Sequence, residues 1–192
     1  YIRLGRVVGH DPVAKTVDLA AKSGNHETIP YDQLLLALGS VSRTLPIPGL
    51  SEHAVGFKGL ADPIWLRNRI VENLEEANAT QDHQRREELL TFVFVGGGYA
   101  GLEALAELQD FAADAMDSYP RARLHGMRWI LVEAAARVLP EIDQDLADYA
   151  LRELRGRGID IKLETQLKEV TKNSATLSTG EVVPTTTLVW TA

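Results

Sequence analysis

Residues 91–101 read TFVFVGGGYAG, a short apolar run that leads directly into three glycines. Its β-branched and aromatic side chains favour a buried strand. Gly96, Gly98 and Gly101 then follow the spacing Gly-x-Gly-x-x-Gly. In that pattern the first glycine permits a tight strand-to-helix turn, the second lets the backbone approach a pyrophosphate, and the third lets the helix pack closely on the sheet. The stretch therefore predicts a strand, a turn and the start of a helix.

Downstream of the glycines the apolar pattern continues the same alternation of strand and helix. It predicts a long helix, a strand over Trp129–Val132, a helix from about Asp143 to Arg155 and a strand over Ile159–Leu163. From residue 92 to residue 163 the order is β-α-β-α-β, which is typical of a parallel, doubly wound sheet. The predicted fold class is α/β, with a Rossmann-like dinucleotide-binding domain.

The N-terminal part reads as strands, at Val7-Val8 and at Thr16–Leu19, separated by turn residues. The apolar run Leu34–Leu38, which Gly39 ends, predicts a strand that is buried on both faces.

Two segments, one near each end of the chain, have similar sequences. Residues 29–36 (IPYDQLLL) align with residues 183–190 (VPTTTLVW), and a similar hairpin precedes each copy. Chance similarity of two common segments is one explanation, and a duplication is the other, which we favour. A duplication predicts that a glycine-rich strand–helix turn precedes Tyr1.

Composition excludes several classes of function. Lys plus Arg number 20 and Asp plus Glu number 27, so the net charge is −7, and we expect no nucleic-acid partner. The absence of cysteine excludes thiol nucleophiles and dithiol redox centres within the chain. The five histidines have no ligand spacing, and no serine stands in a nucleophile elbow. We therefore predict neither catalytic residues nor a metal site.

Two carboxylates occupy positions at which they could contact a bound dinucleotide. Glu133 ends the second strand and could accept hydrogen bonds from the adenosine ribose hydroxyls while repelling a 2′-phosphate, which favours NADH over NADPH. The alternative is a solvated loop carboxylate. Arg137 could serve a 2′-phosphate but stands beyond the strand end. Glu103, expected on the first turn of the glycine-motif helix, either complements the helix dipole or touches the nicotinamide ribose.

The residues also carry a family resemblance. Residues 92–103, FVFVGGGYAGLE, resemble the type II NADH dehydrogenases (NADH:quinone oxidoreductases) of the FAD-dependent pyridine nucleotide-disulfide oxidoreductase superfamily. Residues 31–40, YDQLLLALGS, resemble the segment that closes the first part of the FAD domain in two-dinucleotide flavoproteins. The other matching segments are IPG (47–49), LVEA (131–134), RVLP (137–140) and LVWTA (188–192). The resemblance covers nearly the whole chain, as the central fragment of a family member.

The resemblance implies a domain plan and an activity. Residues 1–48 would be a partial FAD-domain segment of strands, 49–187 a Rossmann-like NADH-binding domain with a β-hairpin or meander, and 188–192 the start of the return to the FAD domain. The complete protein would transfer a hydride from NADH to FAD and then electrons to a quinone. We expect the chain by itself to be inactive, because the family's FAD glycine loop and membrane-binding helices lie outside it.

The resemblance also implies site residues, partners and a location. The expected cofactor-binding residues are Gly96, Gly97, Gly98, Tyr99, Ala100 and Gly101 at the NADH pyrophosphate, Glu133 at the adenosine ribose, Glu103 near the nicotinamide end and Gly39 on the FAD side. We expect a cytoplasmic protein that is peripheral on the inner face of the cell membrane when complete. A homodimer through the N-terminal segment is expected because its strands leave unpaired edges.

Two other functions remain open from the sequence. One is a soluble NADH-dependent flavoprotein reductase that serves a small redox protein. The other is a non-catalytic dinucleotide-binding sensor.

Overall fold

An antiparallel meander makes up most of the N-terminal unit, Tyr1–Gly39, in the computed structural model, which describes residues 1–39 and 44–192. Its strands are β1 (Arg6–Asp11), β2 (Thr16–Ala20) and β3 (His26–Pro30), in the order β1-β2-β3. The β1–β2 turn is closed by the Asp11 carboxylate, whose Oδ1 accepts hydrogen bonds from the backbone N–H groups of Val13 and Ala14 at 2.8 and 2.9 Å. The strands predicted at Val7-Val8 and Thr16–Leu19 are confirmed.

The predicted buried strand at Leu34–Leu38 is wrong. These residues form no strand, and the side chain of Leu35 is 89% exposed. Among the described residues no strand pairs with this run. An extended run keeps its strand form only when neighbouring strands satisfy its backbone groups, which explains the difference.

The second unit, Ser40–Ala192, contains the predicted α/β domain. Its helices are α1 (Leu50–His53), α2 (Ala61–Ala79), α3 (His83–Leu90), α4 (Tyr99–Met116), α5 (Pro120–His125) and α6 (Gln144–Gly156). Its strands are β4 (Ala54–Gly56), β5 (Thr91–Val95), β6 (Arg128–Val132), β7 (Asp160–Lys162), β8 (Leu167–Val170), β9 (Ser174–Leu177), β10 (Val182–Pro184) and β11 (Thr187–Trp190).

Five of these strands form a parallel sheet in the order β4-β11-β5-β6-β7. The predicted β-α-β-α-β unit over residues 92–163 is confirmed, and β11 and β4 extend the sheet on its other side. Strands β8, β9 and β10 form a separate antiparallel meander. The α/β fold class with a meander is therefore confirmed.

The sheet is buried between two apolar layers. Phe92 and Phe94 of β5 belong to the core cluster that the helices share, and the Phe92 ring stacks on Trp129 of β6 with centroids 4.6 Å apart. Val93 and Val95 belong to the cluster that the meander shares. Successive side chains of a strand point to opposite faces, so a continuous apolar run is what a doubly covered strand requires.

Two polar clusters fix elements onto this sheet. The buried Asn73 of α2 donates hydrogen bonds to the Leu89 carbonyl at 2.9 Å and to Thr187 Oγ1 at 3.1 Å. On the opposite side, Glu181 of the β9–β10 hairpin pairs with Lys162 at 2.8 Å and with Arg128 at 3.3 Å. The hydrogen bond from Lys162 is the main reason that the pKa of the Glu181 carboxyl lies below its ordinary value.

None of the described helices combines the length and apolar character needed to cross a membrane.

Candidate functional site

The turn from β5 into α4 depends on Gly96. Its φ is +117°, in the region that L side chains rarely adopt, and its N–H donates a hydrogen bond to the Val132 carbonyl at 2.9 Å. A Cβ built on Gly96 would lie 2.6 Å from Oγ1 of Thr191. Both the conformation and the space at this position therefore require glycine, as the motif predicts.

Gly101 lets α4 approach the end of β5. A Cβ built on Gly101 would lie 2.1 Å from the Gly96 carbonyl oxygen and 2.7 Å from Thr191 Oγ1. A backbone atom at that distance cannot yield without moving the helix or the turn. The close helix–sheet packing that the third glycine of the motif implies is present.

Thr191 lies between the two glycines, and the sequence reasoning missed it. Its hydroxyl lies 3.0 Å from the Val95 carbonyl oxygen and 3.2 Å from that of Gly96, within donating distance of both. Its own N–H also donates to the Val95 carbonyl, at 2.9 Å. The available signal was its position directly after β11, because the carboxyl ends of parallel strands meet at one edge of a sheet.

The two peptide units that flank the Gly97 Cα are each held by a hydrogen bond. Its N–H donates to Oε2 of Glu133 at 2.5 Å, and its carbonyl accepts a hydrogen bond from the Leu139 N–H at 2.8 Å. The other oxygen of Glu133, Oε1, accepts from the Ala135 N–H at 2.7 Å. A carboxylate offers about four acceptor positions, so two backbone contacts leave Glu133 able to accept two further hydroxyl groups.

The N-terminus of α4 opens away from this packing. Gly98 is the N-cap, and among the described residues no heavy atom lies within 4 Å of a Cβ built on it. Tyr99 and Ala100 follow it and are exposed. The first amides of a helix have no partner within the helix, and its dipole makes this end positive. The geometry therefore suits an anion such as a pyrophosphate.

The other two predicted site residues lie elsewhere. Glu103 is exposed but is the fifth residue of α4, so the prediction that it stands on the first turn is wrong. The reason is that the turn keeps all three consecutive glycines, and the helix begins only at Tyr99. Gly39 ends the N-terminal unit with φ +73°, and no described atom lies within 4 Å of a Cβ built on it.

A cavity of about 430 Å³ lies beside Glu133 at the carboxyl edge of the sheet. Gly96, Glu133 and Trp190 contribute to it from the ends of β5, β6 and β11, and Ile47 and Leu167 contribute apolar surface. The acidic side chain and the glycine turn thus border one concave, largely apolar space, which is the usual setting of a small-molecule site. Among residues 1–39 and 44–192, no group of three or more acidic or histidine side chains could hold a metal ion.

Comparison with known proteins shows which family the chain resembles. The sequence profile of the pyridine nucleotide-disulphide oxidoreductases matches residues 2–192. A probable NADH dehydrogenase of Dictyostelium discoideum is 36% identical over 162 residues, which cover 83% of this chain and 36% of that protein. The mitochondrial external alternative NAD(P)H-ubiquinone oxidoreductase B2 of Arabidopsis thaliana is 33% identical over 192 residues, covering 94% of this chain and 33% of that protein.

The same fold occurs in NDH2 from Plasmodium falciparum in complex with NADH. That structure has a TM-score of 0.76 and 21% identity to this chain, and the match covers 94% of this chain and 38% of that one. The chain spans about a third of the length of the curated relatives named above. The resemblance to type II NADH dehydrogenases is confirmed by these matches, and because the family profile matches it from residue 2 to residue 192, the chain belongs to the pyridine nucleotide-disulphide oxidoreductase family.

Proposed function

We propose that this chain is the NADH-binding part of a flavoprotein oxidoreductase that passes a hydride from NADH to FAD and then electrons to a quinone. The observation that carries the proposal is the glycine turn, where the Gly97 N–H donates to Glu133 and the space at the Cβ position of Gly98 is open. The relatives are named NADH dehydrogenase and NAD(P)H-ubiquinone oxidoreductase, which favours a quinone acceptor over a small redox protein.

The dinucleotide binds across the glycine turn. Its pyrophosphate lies beside the Gly97 turn, against the amides from Gly98 to Gly101, with Tyr99 and Ala100 at the exposed face. The Gly97 N–H itself is held by Glu133. These amides carry no formal charge, but their orientation and the helix dipole stabilise the phosphates.

Glu133 sets the choice between NADH and NADPH. Its remaining acceptor positions receive the two adenosine ribose hydroxyls, and its negative charge opposes a 2′-phosphate at the same place. The cavity beside Glu133 provides room for this end of the dinucleotide.

Glu103 and Gly39 have more distant roles. Glu103 is exposed in the second turn of α4. The helix dipole acts mainly on charges in the first turn, so it explains an acid at this position poorly. We therefore assign Glu103 to the nicotinamide end of the dinucleotide. A bound FAD would supply the hydride acceptor. Residues 1–48 are a partial FAD-domain segment in this proposal, the chain starts its return to the FAD domain at residues 188–192, and Gly39 lies at the end of the N-terminal unit. The described residues contain a single Gly-x-Gly-x-x-Gly turn, and we assign it to NADH.

The N-terminal segment supplies the contacts between protein copies. Leu35, Leu36 and Leu38 are 89%, 66% and 82% exposed, an apolar surface that a second copy of the chain would cover. The complete protein is peripheral on the inner face of the cell membrane, where it reaches its quinone.

A cofactor titration tests the proposal. The chain should bind NADH more tightly than NADPH, and Glu133→Gln should narrow that ratio by about tenfold, because the substitution removes the charge but keeps the side-chain shape. Glu141→Gln, an exposed acid on the following loop, is the matched control and should leave the ratio unchanged. Equal affinity of the unsubstituted chain for both cofactors would contradict the assignment of Glu133.

A further inference from the structure

Arg137 follows β6, where a positive charge would ordinarily be interpreted as a 2′-phosphate ligand. Its guanidinium is instead turned into its own loop. Nη2 donates hydrogen bonds to the carbonyls of Leu139 at 3.1 Å and Pro140 at 3.2 Å, and also to the carbonyl of Ile142. Nη1 donates to Oε1 of Gln144 at 2.7 Å. The donors of one side chain thus gather the carbonyls of the loop at a single point.

This gathering stabilises an unfavourable backbone conformation. Leu139 has φ +49°, in the left-handed region that a bulky residue rarely adopts, yet its side chain is buried. The Leu139 carbonyl accepts from both Arg137 and the Ile142 N–H, the latter at 3.2 Å. Such a conformation persists only where the surroundings determine it, and Arg137 supplies most of the polar contacts that do so.

The left-handed Leu139 is what reaches the glycine turn. In this conformation its N–H donates to the Gly97 carbonyl at 2.8 Å. Its neighbour Val138 is buried and lies 3.1 Å, through Cγ1, from a Cβ built on Gly97. The loop thus holds the Gly97 carbonyl, while Glu133 holds the Gly97 N–H, so the peptide units on both sides of the Gly97 Cα are fixed.

We infer that Arg137 is a positioning residue for the nucleotide turn and that it does not read a 2′-phosphate. The side chain acts through the loop 138–142, which fixes the Gly97 peptide and hence the amides that follow it. The inference rests on the proposed function to the extent that those amides bind the NADH pyrophosphate. The inference adds that Arg137, although it lies near the ribose end, contributes equally to the affinity for NADH and for NADPH.

Binding measurements separate this role from a phosphate-binding one. Arg137→Met should raise the Kd for NADH, for NADPH and for ADP by the same factor, about tenfold, because all three share the pyrophosphate. Arg137→Lys should recover part of the loss, since an ammonium has three donors for the same carbonyls. Arg152→Met, at an exposed position of α6, is the control and should change none of the three. A loss confined to NADPH, or unchanged affinities in Arg137→Met, would overturn the inference.

Amide hydrogen exchange tests the same inference without a ligand. In Arg137→Met the Leu139 N–H should exchange at least tenfold faster than in the unsubstituted chain, while the Ile130 N–H in the middle of β6 keeps its protection. Retained protection at Leu139 would overturn the positioning role, whatever the chain binds. If the unsubstituted chain binds no dinucleotide but Leu139 exchange responds as expected, the proposed function fails and the role of Arg137 in holding the turn stands.

Discussion

Residues 29–36 and 183–190 have similar sequences but end in different structures. Each follows a hairpin, β2–β3 in one case and β9–β10 in the other. Val189 then lies in β11 and is fully buried, whereas Leu35, at the aligned position, lies in no strand and is 89% exposed. The same apolar pattern is therefore a central strand in one region and an exposed segment in the other.

The difference lies in the neighbours. Val189 is in register with Val55 of β4 on one side and with Phe94 of β5 on the other, so strands flank its backbone on both sides. Its side chain is buried in the core that the helices share. Among the described residues the run 34–38 has no such strands. β-Propensity measures how well a side chain fits a partly built sheet, and an apolar run specifies a strand only where that sheet exists.

The sharpest test of this comparison is the same substitution at the aligned positions. Val189→Asp buries a carboxylate without a partner and should destabilise the second unit by more than about 4 kcal/mol. Leu35→Asp should change stability by less than about 0.5 kcal/mol, since its side chain already contacts water. Urea unfolding followed by circular dichroism measures both, and Trp fluorescence follows the second unit, which contains all three tryptophans. An equal loss in the two variants would show that the run 34–38 is packed in solution.

The cost of replacing a glycine by alanine should also differ between the two regions. Gly101→Ala places a Cβ against the Gly96 carbonyl and should cost about 3 kcal/mol. Gly39→Ala meets open space, so only its φ of +73° opposes the change, at about 1 kcal/mol. The same denaturation experiment measures the two costs. If the order were reversed, the close approach of α4 to the sheet would not exist.

Thr191, directly after β11, provides a smaller test, because its counterpart in the first region is Ala37. Thr191→Val removes the hydroxyl that donates to the carbonyls at the end of β5 and should cost about 1 kcal/mol. Thr191→Ser restores the donor and should recover most of that loss. A serine variant as unstable as the valine variant would show that packing, and not the hydrogen bond, is what the site requires.

The smallest expected effect lies in the β9–β10 hairpin, which Glu181 ties to the sheet. Pairing with Lys162 lowers the pKa of Glu181 below its ordinary value, so the pair contributes stability above that ordinary pKa and loses it as the pH falls through the lower folded-state pKa. Because both groups are partly exposed, Glu181→Gln should cost less than about 1 kcal/mol at pH 7.

The Glu181→Gln variant should also flatten the dependence of stability on pH below about 5. Glu169→Gln, at an exposed position of β8, is the control. The account of the hairpin would be contradicted if the two variants showed the same pH dependence as the unsubstituted chain.

The sequence predicted correctly those elements whose structure depends mainly on interactions between residues close together in the chain. The β5–turn–α4 unit follows from residues 91–101 alone, because the continuous apolar run and the glycine spacing are both local features of this stretch. Glu133 was predicted, from its position at the end of the second strand, to lie at the adenosine ribose, and its contact with the Gly97 N–H was not predicted. Its binding of a ribose, like the domain boundaries, stays a prediction.

The remainder depends on contacts between distant segments. The hydroxyl of Thr191 and the N–H of Leu139 reach the glycine turn only after β11 and the loop that follows β6 are in place. No spacing rule within the sequence links them to Gly96 or Gly97. The strand prediction for residues 34–38 was wrong for the same reason. Their apolar pattern is that of a strand, but among the described residues no neighbouring strand pairs with them.

The central claim is that the glycine turn binds NADH, and an NMR titration of the ¹⁵N-labelled chain with NADH tests it most directly. The account predicts saturable shifts of the amides from Gly97 to Leu102 and of those near Glu133, with smaller shifts at equal concentrations of NADPH. The amides of the N-terminal unit should not move with the same saturation curve. Shifts that saturate elsewhere while the Gly97–Leu102 amides stay in place, or no saturable shifts at all, would contradict the account.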